Sequence, residues 1–312
     1  MSGGRPLRRP RHGGSAGLLL ALAVTVSACG GGPAPTSAGD TLRVVATTTV
    51  LADLVRQVGG ADVTVTSMVP KGGEVHTFDP SPSDLRAVAS ADLIFMNGLG
   101  LDDWLGDAVT DSGSSAPVIA LGEDLSGVTY QPVDPEPGEP VNPHLWLDAG
   151  YAARYVERIV ETLAPIEGER SARIRAGGDA YLRRLADLDG WALARIAEIP
   201  EEDRVIVSFH EAFPYFAEAY GLTIAGIIVG APGQDPSAGE IARLVDAIRA
   251  SGARAVFGEA QFSPDLARTV ADEAGIPVVT DLYSDTLGDP PVDSYEGMIR
   301  WDVDRVVDAL DG

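Results

Sequence analysis

SARIRAGGDAYLRRLADLDGWALARIAE, residues 171–198, is the stretch whose reading decides the fold. Its apolar positions Ile174, Tyr181, Leu185, Leu188, Ala192 and Ile196 recur at helical spacing, which predicts one long helix, weakened locally by Gly177, Gly178 and Gly190. From residue 151 to 198 there is no strand pattern, and Pro165 is the only proline. On either side, short runs rich in Val, Ile, Leu and Thr alternate with segments of helical period, the signature of α/β layering. Strands are expected at 42–46, 63–68, 93–96 and 118–121 before the helix, and at 205–208, 223–228, 255–257 and 277–279 after it. A helix should start at Pro82, where Ser81-Pro82-Ser83-Asp84 offers a cap, a first-turn proline and an acid near the positive dipole end. The expected fold class is therefore α/β: two βα lobes, 41–150 and 200–312, joined by a long connecting α-helix within 151–199. A stiff connector of this kind limits the lobes to small tilts. No strong internal repeat is visible.

The amino terminus reads as a targeting segment. Arg5, Arg8, Arg9 and Arg11 precede an apolar run over 17–28, long enough for a signal-peptide core and short of the ~20 residues that span a bilayer. The run ends in Val26-Ser27-Ala28-Cys29, which resembles the lipobox of bacterial lipoproteins, and Cys29 is the only cysteine. A lone cysteine forms no internal disulfide, so acylation at Cys29 accounts for its solitude and its position. Residues 1–28 are thus expected to be a lipoprotein signal peptide. Residues 29–40, rich in Gly and Pro, read as a flexible tether averaging roughly 18 Å end to end. The location implied is extracytoplasmic, with the chain held at the membrane through its lipid.

The formal charge is −23 over 312 residues, and the leader removes four arginines and no acids, so the rest is more acidic still. Such a field repels nucleic acid and concentrates cations, although charge alone selects no ligand. Residues 131–143 form an acidic, proline-rich loop.

Of four histidines, His12 lies in the leader, leaving His76, His144 and His210. His76 sits in the turn Lys71-Gly72-Gly73-Glu74-Val75-His76-Thr77-Phe78-Asp79-Pro80, after an expected strand. His144 sits in Asn142-Pro143-His144-Leu145-Trp146-Leu147-Asp148, and His210 ends the run Val205-Ile206-Val207-Ser208-Phe209. In open α/β sheets, ligands collect outside the carboxyl ends of strands, so the three imidazoles can meet in an interlobe cleft. Imidazole suits zinc and its neighbours, and a fourth donor closes a tetrahedron. Asp281, following the strand expected at 277–279, is the leading candidate, with Glu74, Asp79, Glu211 and Glu259 as other acids in range. Of these, Glu74, Glu211 and Glu259 could instead orient the imidazoles.

These motifs, together with Asn97-Gly98-Leu99-Gly100-Leu101, Ser208-Phe209-His210-Glu211-Ala212-Phe213-Pro214 and Phe257-Gly258-Glu259-Ala260-Gln261-Phe262, resemble the metal-binding solute receptors of ABC importers. That cluster of zinc and manganese receptors includes adhesin-like lipoproteins. The resemblance implies a metal held between two lobes by His76, His144, His210 and Asp281, and delivery to an ABC permease by a monomeric, non-enzymatic protein. The chain departs from the pattern at Asp102, where many relatives carry glutamate, and at Ala149, where many carry proline. The stretch 131–142 lacks the histidines that many zinc receptors place there. Three imidazoles and one carboxylate favour zinc, with manganese second and iron behind it. An adhesion role would coexist with transport.

A zinc hydrolase is the rival from another class. His210-Glu211-Ala212-Phe213-Pro214 lacks the second histidine of a His-Glu-x-x-His helix, and three histidines with an aspartate leave no open position for water. A receptor for siderophores or vitamin B12 would leave three converging histidines without a purpose.

Overall fold

The computed structural model of the protein describes residues 41–133, 140–165 and 168–311. The expected signal peptide, Cys29, the tether and residues 134–139 of the acidic stretch 131–143 lie outside the described residues.

The first lobe begins with β1 (Leu42–Ala46), α1 (Thr49–Gly59) and β2 (Val63–Ser67). It continues through α2 (Pro82–Ser90), β3 (Leu93–Met96), α3 (Leu105–Ser112) and β4 (Val118–Ala120). All its strands are parallel, in the order β2-β1-β3-β4. Two helices follow, α4 (Ala149–Leu163) and α5 (Glu169–Ile196). The second lobe comprises β5 (Val205–Ser208), α6 (Pro214–Tyr220), β6 (Thr223–Ile227), α7 (Ala238–Ser251), β7 (Ala255–Glu259), α8 (Asp265–Ala274) and β8 (Val278–Leu282). Its sheet is also parallel, ordered β6-β5-β7-β8, and α9 (Tyr295–Leu310) closes the chain. The two sheets share one winding although the sequence carries no legible repeat. Each reverses direction beside its first strand, and loops from the carboxyl ends gather there.

The connecting helix is α5, and the residues that predicted it are the ones it buries: Ile174, Tyr181, Leu185, Leu188, Ala192 and Ile196. At 28 residues it is about 42 Å long. Gly177 and Gly178 do more than weaken it. A Cβ on Gly177 would collide with the Val58 carbonyl of α1, and one on Gly178 with the Val160 side chain of α4, so these glycines let both helices lie against α5. The expected start of α2 is also found, with the Ser81 N–H donating to the Asp84 carboxylate at 2.8 Å.

Three apolar layers result. The outer face of the first sheet packs on α2 and α3 through Val45, Val88, Ile94 and Leu105. The outer face of the second packs on α7 and α8 through Val207, Val245, Val256 and Val270. Between the sheets lies one continuous core joining α1, α4, α5, α6 and α9, with Leu54, Tyr155, Leu185, Phe216 and Val303 among its buried members. A core shared by both lobes opposes wide separation, because opening would expose apolar surface at roughly 25 cal/mol per Å². Among the described residues, no helix is long and apolar enough to cross a membrane.

Candidate metal centre

His76, His144 and His210 converge, as the sequence reading expected, and the fourth group is Asp285. Each offers one donor atom, and the four atoms lie within 4.8 Å of one another. His144 Nε2 is 3.4 Å from His210 Nε2 and 3.3 Å from Asp285 Oδ1. Asp285 Oδ2 is 3.6 Å from His210 Nε2 and 3.7 Å from His76 Nε2. His144, His210 and Asp285 are buried, whereas the His76 side chain keeps 20% of its surface exposed and so marks the open side of the cluster.

Asp281 does not join them. Strand β8 runs on to Leu282, past the expected end at Val279, and this places Asp281 inside the strand. Its carboxylate pairs with Arg305 of α9 at 2.8 Å, and its carbonyl accepts from Trp301 Nε1 at 2.7 Å. The expectation of Asp281 is therefore corrected. The acid that reaches the histidines comes from the turn beyond the strand, within the wholly buried triplet Ser284, Asp285 and Thr286.

Two of the imidazoles, those of His210 and His144, are oriented from behind, and the third is held through its backbone. The Nδ1 of His210 lies 2.7 Å from Oε1 of Glu259, the last residue of β7, so the imidazole donates to a carboxylate and turns Nε2 toward the cluster. Glu74 Oε1 accepts from the His76 backbone N–H at 2.6 Å, holding the turn that carries His76. Glu211 contributes its carbonyl, which accepts from Asn142 Nδ2 at 2.7 Å. That bond fixes the Asn142 amide, since only its nitrogen can donate to a carbonyl. Asn142 Oδ1 then accepts from the His144 backbone N–H and from Nδ1, both at 3.0 Å, which directs the His144 Nε2 lone pair inward. Sequence reasoning missed Asn142, although its place two residues before a histidine, ahead of a proline, was visible. Behind it, Asn97 Nδ2 donates to the Pro143 carbonyl at 3.1 Å, and the Tyr155 hydroxyl donates to Asn97 Oδ1 at 2.7 Å.

The electrostatics are uneven. Burial alone would lower the His210 pKa, but Glu259 and Asp285 override it and raise it to about 9. Burial lowers His76 to about 4, against the pull of Asp285. Burial also lowers His144. For Asp285 burial acts upward, yet His144, His210 and His76 together hold its carboxyl well below the usual range. Burial, then the charge of Asp285, pushes Glu74 up to about 7. His76 Nε2 is buried without a hydrogen-bond partner. An inward-facing nitrogen lone pair beside other lone pairs and a carboxylate is an arrangement that a proton or a cation satisfies.

The family described as zinc-uptake complex component A, periplasmic, matches residues 44–309. The chain belongs to this family. Its members are metal-binding solute receptors of ABC importers rather than enzymes, and the chain is a substrate-binding protein of that kind, working outside the cytoplasm with a membrane permease. It is 31% identical over 296 residues to the manganese-binding lipoprotein MntA of Halalkalibacterium halodurans, covering 94% of this chain and 97% of the relative. It is 27% identical to the iron ABC transporter substrate-binding lipoprotein MtsA of Streptococcus pyogenes serotype M1, covering 94% and 96%. Among solved structures, the periplasmic zinc-binding protein TroA of Treponema pallidum superposes with a TM-score of 0.78 at 26% identity, covering 86% of this chain and 99% of that one. The two parallel-sheet lobes with α5 between them are the architecture of these receptors.

Proposed function

We propose that the chain captures one divalent first-row transition ion, zinc in preference to manganese, with His76, His144, His210 and Asp285 as ligands. The observation that carries this reading is the spacing of the donors. A zinc ion with bonds of about 2.05 Å to four tetrahedral ligands sets them about 3.3 Å apart. Four of the distances between donor atoms of these side chains, counting both oxygens of Asp285, run from 3.3 to 3.7 Å, and one donor atom from each of the four residues lies within 4.8 Å of the others. Four protein donors also leave no position for a reactive water, which suits carriage rather than catalysis.

One observation favours manganese as the second reading. Both oxygens of Asp285 face imidazoles, Oδ1 toward His144 and Oδ2 toward His210 and His76. Bidentate binding would raise the donor count to five and suit a larger, harder ion. The manganese-binding name of the Halalkalibacterium relative points the same way.

The protein acts as a monomer tethered through acylated Cys29, which keeps the loaded receptor beside its permease. Calorimetric titration of metal-stripped protein with zinc and with manganese tests the reading: one ion per chain is expected, with zinc bound more tightly. Failure to take up either ion would refute it. Replacing Cys29 with alanine is expected to release the protein from membranes.

A further inference from the structure

Asp285 follows a strand of the second lobe, yet the segment that carries it is held largely by the first. Tyr283 N–H donates to Asp302 of α9 at 2.9 Å, and Gln261 Nε2 donates to Ser284 Oγ at 2.8 Å and, at the longer distance of 3.4 Å, to Asp285 Oδ2. The other ties of the turn run to the first lobe. The Ser284 carbonyl accepts from Trp146 Nε1 at 2.8 Å, two residues beyond His144. Thr286 Oγ1 accepts from the Gly72 N–H at 2.9 Å, in the turn that carries His76, and lies 3.3 Å from Thr49 Oγ1 of α1. Leu287 N–H donates to Thr49 Oγ1 at 2.7 Å. Thr49, Trp146 and Thr286 are buried, so these bonds are shielded from competing water.

We propose that Thr49 and Thr286 are positioning residues for metal capture, locking the turn 283–287 to the first lobe so that Asp285 travels with His76 and His144. The four donors then divide three to one. His210, backed by Glu259, is the single ligand carried by the opposite lobe, and a small tilt between the lobes removes it first while the other three still hold the ion. This inference rests on the ligand set proposed above. Neither threonine touches the ion, and each acts through the backbone that aims the Asp285 carboxylate.

The test is the rate at which zinc-loaded protein loses its ion to excess chromophoric chelator, read by stopped flow. Thr286→Val and Thr49→Val keep the shape and remove the hydroxyl. Each is expected to release zinc about tenfold faster, the weight of one buried hydrogen bond. Thr286→Ser, which restores the hydroxyl, is expected to release at the wild-type rate. A merely structural role would lower the melting temperature of both valine variants and leave the release rate unchanged, and that result would overturn the inference. Equal acceleration by Thr286→Val and Thr286→Ser would overturn it too. A wild-type protein that takes up no zinc in the loading step refutes the proposed function itself, whereas loaded wild type with unaltered variants refutes only the positioning role.

Discussion

Glu259 Oε1 stands 2.7 Å from His210 Nδ1, joining the end of β7 to the imidazole that follows β5. Both side chains are buried, so the bond acts in a medium of low polarity, where a carboxylate strongly increases imidazole basicity. His144 receives a neutral acceptor, Asn142, in the equivalent place. Against burial, Glu259 and Asp285 hold His210 above its ordinary pKa, whereas burial lowers His144.

Replacing Glu259 with glutamine keeps an acceptor and removes the charge. Zinc affinity above pH 9, where proton competition is absent, is expected to fall roughly tenfold to a hundredfold. Competition titrations across pH with a chelator of known affinity would show it, together with a shallower pH dependence near neutrality than in the wild type.

That pH dependence has a definite sign. A group held above its ordinary pKa binds its proton more tightly, and metal must displace that proton. With His210 raised to about 9, one proton leaves per ion at pH 7, and affinity is expected to fall about tenfold for each unit of pH below about 9. Glu74, raised to about 7, adds part of a second proton near neutrality. His76, lowered to about 4, stays neutral and competes only in stronger acid. Calorimetry in buffers of different ionisation enthalpy counts the protons directly. Release of none at pH 7 would contradict the assignment.

Asp281 and Asp285 provide a paired test of the ligand set. Asp285→Asn removes the only carboxylate among the four converging groups and is expected to weaken zinc binding by at least about a hundredfold, as loss of a buried charged partner implies. Asp281→Asn disturbs a partly exposed pair with Arg305 and is expected to leave binding within about threefold. Titration of both variants side by side reads the difference.

Gly177→Ala sets local propensity against packing. Alanine is the better helix former by about 1 kcal/mol, yet its Cβ would meet the Val58 carbonyl, backbone that cannot turn aside. Net destabilisation of about 1–3 kcal/mol is expected from denaturant melts.

Much of this architecture is legible in the chain because each strand is a short apolar run and the buried face of α5 is written at helical spacing. The starts of all four strands of the first sheet lie where the runs begin. Helix α4 was not separated from the connecting segment, since its amphipathic pattern runs almost directly into that of α5. The three histidines were legible as residues of loops that follow or face strand ends. Asp285 was not, because choosing between acids at 281 and 285 requires knowing where β8 ends, and that is set by the β7 pairing, which shifts register between Phe257 and Glu259. The Arg305 partner of Asp281 is equally a product of tertiary packing. Glu259, expected as a group that could orient an imidazole, bonds His210 Nδ1, whereas it is Asn142 that bonds His144 Nδ1, its amide held by the Glu211 carbonyl.

X-ray absorption at the zinc edge of the loaded protein tests the central claim most directly. Four light-atom donors at about 2.0–2.1 Å, three of them imidazoles by their outer-shell scattering, are predicted, with one imidazole lost in His210→Ala. A zinc environment containing one imidazole or none, or one unchanged in His210→Ala, would contradict the account.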